Sequence, residues 1–137
     1  MTPEDLAALY QSAFADSRGW SAQEFTELLA SPFCFVVGGE NGFAIGRVIA
    51  DEAELLTIAT HPPQQRTGFG RQSLLAFQTH AAARGATTVF LEVAADNTRA
   101  IALYESEGWA QTALRKRYYA RSGGIFVDAL ILTRSLP

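Results

Sequence analysis

The segment Gln65-Arg66-Thr67-Gly68-Phe69-Gly70-Arg71 joins a strand-like apolar run to a stretch that reads as a helix. A chain that leaves a strand, turns through two glycines one residue apart and enters a helix must pack that helix back onto a sheet. Glycine supplies backbone angles closed to other residues and lets a ligand approach the main chain. The helix beyond, read over 70–84, offers uncommitted N–H groups and the positive end of its dipole. The segment therefore reads as an anion site, with phosphate or pyrophosphate as the expected occupant. It is not a P-loop: no Gly-Lys-Ser/Thr follows Gly70, and the chain's only lysine is Lys116. A dinucleotide fingerprint would need a third glycine where Ser73 stands. Glu92, about 20 residues further on, is the one feature in favour of that fingerprint.

The remaining punctuation sets the order of elements. Thr2 and Pro3 open a first helix over 2–14. Ser21-Ala22-Gln23-Glu24 is a capping box that opens a second, which stops before Pro32. Strands are read at 33–38 and 43–50, joined by the turn Gly39-Glu40-Asn41-Gly42, and at 54–60, where His61-Pro62-Pro63 breaks the run. After the glycine loop and its helix, closed by Gly85, come a strand at 87–93 and a helix from Asn97 to about Glu107. Strands at 110–119 and 125–132 flank Ser122-Gly123-Gly124. The order ααβββαβαββ predicts an α/β (α+β) domain over 1–137, with a mixed, mostly antiparallel sheet flanked by helices.

Composition removes several classes of function. The 137 residues carry a net charge of −3, and 48% are apolar. That suits one domain with its own core and disfavours sequence-independent nucleic-acid binding. The single cysteine, Cys34, rules out an internal disulfide and reads as a small buried hydrophobe. Acidic residues near the start and the lack of a long apolar run argue against a secretory signal or a membrane span. A cytoplasmic protein, monomeric or weakly dimeric, is the expectation.

Two further residues stand out. Leu91-Glu92-Val93 puts a carboxylate on the strand face opposite two apolar neighbours. Tyr104 shares a helix face with Ala100 and Ile101. On pattern alone, Glu92 is equally a solvated outward residue and Tyr104 a core aromatic. His61 and His80 read as solvated or satisfied histidines, and Arg115-Lys116-Arg117 as a solvated strand face.

Taken together, these segments resemble the GNAT N-acetyltransferase superfamily. Gln65 to Gly70 matches its Gln/Arg-x-x-Gly-x-Gly/Ala loop for acetyl-coenzyme A. Trp20-Ser21, Ala53-Glu54-Leu55-Leu56-Thr57-Ile58-Ala59, Leu91-Glu92-Val93, Asp96-Asn97, the run from Ala100 to Trp109 and Arg117-Tyr118-Tyr119 are similar to the branch of bacterial ribosomal-protein-alanine N-acetyltransferases. The resemblance implies acetyl-coenzyme A as cosubstrate, no metal, and the N-terminus of a ribosomal protein as acceptor. It implies that Ile58, Ala59 and Thr60 meet the acetyl and pantetheine portion through main-chain groups. Arg66, Thr67, Gly68, Phe69, Gly70 and Arg71 would cradle the pyrophosphate, and Asn97 would contact the cofactor. Glu92 would be the general base and Tyr104 the general acid. Glu54, Tyr118 and Tyr119 would face the acceptor. Thr60-His61 and the short Gly123-Gly124 hairpin depart from the branch pattern, and the hairpin bears on which acceptor is held. An enzyme acting on a small-molecule amine and a non-catalytic coenzyme A-binding module are the alternative readings.

Overall fold

A computed structural model of the chain describes residues 1–14, 20–61 and 68–137. Its elements follow the predicted order: α1 (Pro3–Ala13), α2 (Ala22–Leu29), β1 (Cys34–Gly39), β2 (Gly42–Ile49), β3 (Glu52–Thr60), α3 (Phe69–Ala83), β4 (Thr88–Ala94), α4 (Thr98–Ser106), β5 (Ala110–Ala120) and β6 (Phe126–Ser135). The capping signals act as read. Ser21 Oγ accepts from the Glu24 amide at 3.1 Å, and Glu24 Oε1 accepts from the Ser21 amide at 3.1 Å. Thr2 and Asp5 close a second, unpredicted box on α1.

The six strands lie in the order β1-β2-β3-β4-β6-β5. All neighbours are antiparallel except β3 and β4, the parallel pair that α3 connects. Alternation along the strands splits the core in two. Leu55, Val89, Leu91 and Leu132 meet Leu74, Phe77 and Ala81 of α3 on one face, together with Tyr104 of α4. Phe43, Ile45 and Ala59 meet Leu6 and Leu9 of α1 and Phe25 of α2 on the other. Gly46 lets α3 sit close: a Cβ there would lie 2.5 Å from Phe77 Cε1 and 2.6 Å from Phe35 Cζ.

Two of the three register shifts in the sheet bear on the site. Ile45 pairs with Thr57 but Gly46 pairs with Leu55, so Leu56 is an extra residue that bends β3. Beyond that bend β3 and β4 part. Their pairing covers only Glu52↔Thr88, Ala53↔Val89 and Glu54↔Phe90. A second bulge lies in β5, where Arg115 faces Ala129 and Tyr119 faces Val127. Inside it Arg117 holds φ 53, and the Asp128 carboxylate accepts from its amide at 2.9 Å. Among the described residues, no helix is long and apolar enough to cross a membrane.

Candidate active site

Where β3 and β4 diverge, a cleft of about 950 Å³ opens. Its walls are Leu55 to Ile58 and Thr60 of β3, Leu91 to Ala94 of β4, Ala100, Leu103 and Tyr104 of α4, and Tyr10 and Phe14 of α1. Among the described residues, no strand covers the β4-side edge of β3 past Glu54, so main-chain groups there are presented to the cleft.

Gly68, Gly70 and Arg71 bring the start of α3 to the same cleft. Gly68 is the N-cap residue, with φ 93, and among the described residues no side chain caps the helix. First-turn N–H groups of a helix are suited to an anion. Gly70 is within the helix, where a Cβ would meet Thr60 Oγ1 at 3.6 Å and Leu103 Cδ2 at 3.7 Å. The fold itself thus has room for a methyl at Gly70, whereas at Gly68 the backbone conformation requires glycine. Arg71 is ion-paired to Glu107 across the gap between α3 and α4. Arg66 and Thr67 lie outside the described residues.

Glu92 lines the cleft from β4, its side chain 23% exposed. Ala53 of β3 pairs with Val89 and Glu54 with Phe90, which puts Glu92 on the sheet face opposite α3. That face is covered by α1 and α2 over β1–β3. Over β5 it lies open, and nearly every residue of that strand is exposed. Tyr104 approaches from the α3 side. It is 5% exposed, and its ring centroid is 5.8 Å from that of Trp109. Burial pushes its phenol up to about 12. Asn97 lines the cleft as well, with Oδ1 accepting from the Ala100 amide at 3.3 Å to cap α4.

Of the remaining residues singled out in the sequence, Ile58, Thr60 and Tyr119 line the cleft. Burial, then the Glu92 charge and Tyr118, raise the Tyr119 phenol above its ordinary value. Four residues are not on the cleft wall. Ala59 is buried against α1, Phe69 begins α3, Glu54 pairs with Arg47 at 2.8 Å, and Tyr118 is exposed on β5. His80 is at the far end of α3. It stacks on Phe35 with centroids 4.2 Å apart and accepts from Arg84 Nε at 3.0 Å. Burial first, then Arg84, holds its imidazole below the usual value. His61 lines a separate hollow beside α1.

The structure adds residues that sequence pattern did not single out. Tyr10 of α1 and Phe14 at its C-cap form an aromatic wall with ring centroids 4.6 Å apart. Arg121, also lining the cleft, donates from Nε and Nη2 to the two carboxylate oxygens of Asp96 at 3.0 Å each. Arg115 Nε stands 3.2 Å from Glu92 Oε1. Tyr10 and Phe14 had a usable signal in their spacing. The two ion pairs join residues more than 20 positions apart, for which no local pattern exists.

Comparison with known proteins agrees with this architecture. Residues 3–109 match the acetyltransferase (GNAT) family. The chain is 38% identical to the ribosomal protein bS18-alanine N-acetyltransferase of Escherichia coli K12, over 93% of this chain and 89% of that one. It is 36% identical to the N-alpha-acetyltransferase RimI of Mycobacterium tuberculosis, over 93% of this chain and 83% of the relative. The crystal structure of the ribosomal-protein-S18-alanine N-acetyltransferase from Escherichia coli superposes with a TM-score of 0.86 at 34% identity, covering 98% of this chain and 87% of that chain.

Proposed function

The chain belongs to the acetyltransferase (GNAT) family and is an N-acetyltransferase, and we propose that it acetylates the N-terminal α-amino group of a ribosomal protein beginning with alanine. The observation that carries this reading is 38% identity across 93% of the chain to an enzyme named for that acceptor. The open sheet face beside Glu92 supports it, because a chain terminus can reach the carboxylate there without crossing a helix.

Acetyl-coenzyme A, the proposed cosubstrate, supplies when bound an activated thioester carbonyl. The site fits it: the uncapped start of α3 suits a pyrophosphate, and the uncovered edge of β3 suits an amide-bearing arm. Phe69, Gly70 and Arg71 would hold the phosphates through their amides, joined by Arg66 and Thr67 of the preceding loop. Ile58, Ala59 and Thr60 would hold the arm through main-chain groups, with Asn97 at the rim.

An α-amino group has a pKa near ~7.7–8.0 and is largely protonated at neutral pH. Glu92 takes that proton, directly or through a water, and frees the nitrogen lone pair. An N–H of β3 near Ile58 supports negative charge that builds on the carbonyl oxygen. Tyr104 acts as a hydrogen-bond donor to the leaving thiolate. With its phenol at about 12, outright proton transfer to a thiolate of ordinary pKa near ~8.5 would be uphill by roughly 5 kcal/mol. Tyr119 and the neighbouring hairpin, with Glu54 and Tyr118 further out, border the acceptor side.

The acceptor is tested by offering an alanine-starting peptide beside polyamines and aminoglycosides. Acetylation of the peptide at its α-nitrogen is expected. Turnover of the small amines with none of the peptide would overturn the assignment. The donor site has a separate test in Gly70→Glu. A Cβ there is in ordinary contact with the protein and a carboxylate in the first turn suits the helix dipole, so the thermal midpoint should hold, while coenzyme A affinity falls at least about tenfold because the new charge opposes the phosphates. Unchanged affinity by calorimetry would move the phosphate site away from this helix start.

A further inference from the structure

Glu92 has one charged partner among the described residues, Arg115, and that partner is itself held from behind. The Arg115 guanidinium lies 5.3 Å over the ring of Tyr118 while its Nε stands 3.2 Å from Glu92 Oε1. Tyr118 thus packs on the arginine, and the arginine contacts one carboxylate oxygen of Glu92. The bulge in β5 follows directly on this contact. By absorbing two residues between Arg115 and Tyr119, it puts both opposite alternate residues of β6, Ala129 and Val127, on the sheet face that carries Glu92. Arg117, in the left-handed region and anchored to Asp128, holds the bulge open.

We propose that Arg115 is the positioning residue for Glu92: braced by Tyr118, it fixes one carboxylate oxygen and leaves the other to receive the acceptor's proton. The inference rests on Glu92 being the base. It also gives Tyr118 a task consistent with its place away from the cleft wall, that of bracing Arg115. An ion pair this exposed adds little to stability, so its loss should be read in turnover and not in folding.

The test measures kcat and the KM for whichever amine the acceptor screen selects. It uses Arg115→Gln, Arg115→Lys and Tyr118→Leu, each in the wild-type and the Glu92→Gln background. Arg115→Gln should lower kcat about tenfold with little change in KM, because a displaced base costs rate and not binding. Arg115→Lys should recover part of that loss, and Tyr118→Leu should fall between wild type and Arg115→Gln. In the Glu92→Gln background, Arg115→Gln should have no further effect, since there is no carboxylate left to position. An equal loss in both backgrounds, or a change in KM alone, would overturn the positioning role. Full activity of Glu92→Gln, or inactivity of the wild type with every amine, would remove the base assignment and the positioning role together. A slow Glu92→Gln beside a fully active Arg115→Gln would remove only the positioning role.

Discussion

Glu92→Gln is expected to lower kcat by about 10²–10⁴-fold, the span that a placed general base contributes. Coenzyme A affinity should not change. Glu92 is in the middle of β4, and its side chain meets the cleft from the sheet face opposite α3, whose N-terminus forms the proposed phosphate site. The amide keeps the shape of the carboxylate and removes its capacity to accept a proton, so a structural role would survive the change. Single-turnover acetyl transfer with calorimetric titration of coenzyme A separates the two. Wild-type turnover in the variant would show that the acceptor loses its proton elsewhere.

Phe77→Ala should have the largest effect on folding, about 3–5 kcal/mol. Phe77 is fully buried, stacks on Phe35 with centroids 5.9 Å apart, and fills the space that Gly46 leaves on β2. Truncation leaves a cavity under the middle of α3 that neighbouring strands cannot close. Against a typical stability of about 5–15 kcal/mol, that is a large fraction. The urea midpoint should drop with little change in slope. A loss below about 1 kcal/mol would mean that α3 is held chiefly by its ends.

The order of elements was legible because each boundary carries a residue with a local mechanism. Ser21 and Glu24 cap, Pro32 breaks, Gly68 turns at positive φ, and Asn97 caps. Sheet order was not legible, since nothing local says that β6 inserts between β4 and β5. The bend at Leu56 was also silent, because the extra residue is an ordinary leucine in an apolar run. Glu92, Tyr104 and the glycine loop were visible as residue types in a pattern. The partners that organise them were not. Arg115-Lys116-Arg117 reads as a solvated face, and its side chains are exposed, yet Arg115 reaches back to Glu92. A bulge without glycine, propped by an arginine in the left-handed region, leaves no mark in the sequence that predicts it. Tyr118 and Tyr119 read as an equivalent pair, yet only Tyr119 lines the cleft.

Three parallel rungs are all that stitch β3 to β4, so the sheet is two panels hinged on a short seam. On one face α3 straps the panels together, helped by the buried bond from Trp109 Nε1 to Gln78 Oε1 at 3.1 Å. A ligand seated between the panels would act as a second strap, tightening the molecule along the line where it is most easily pried open. A donor bound in that gap would brace the shortest strand pairing among the described residues.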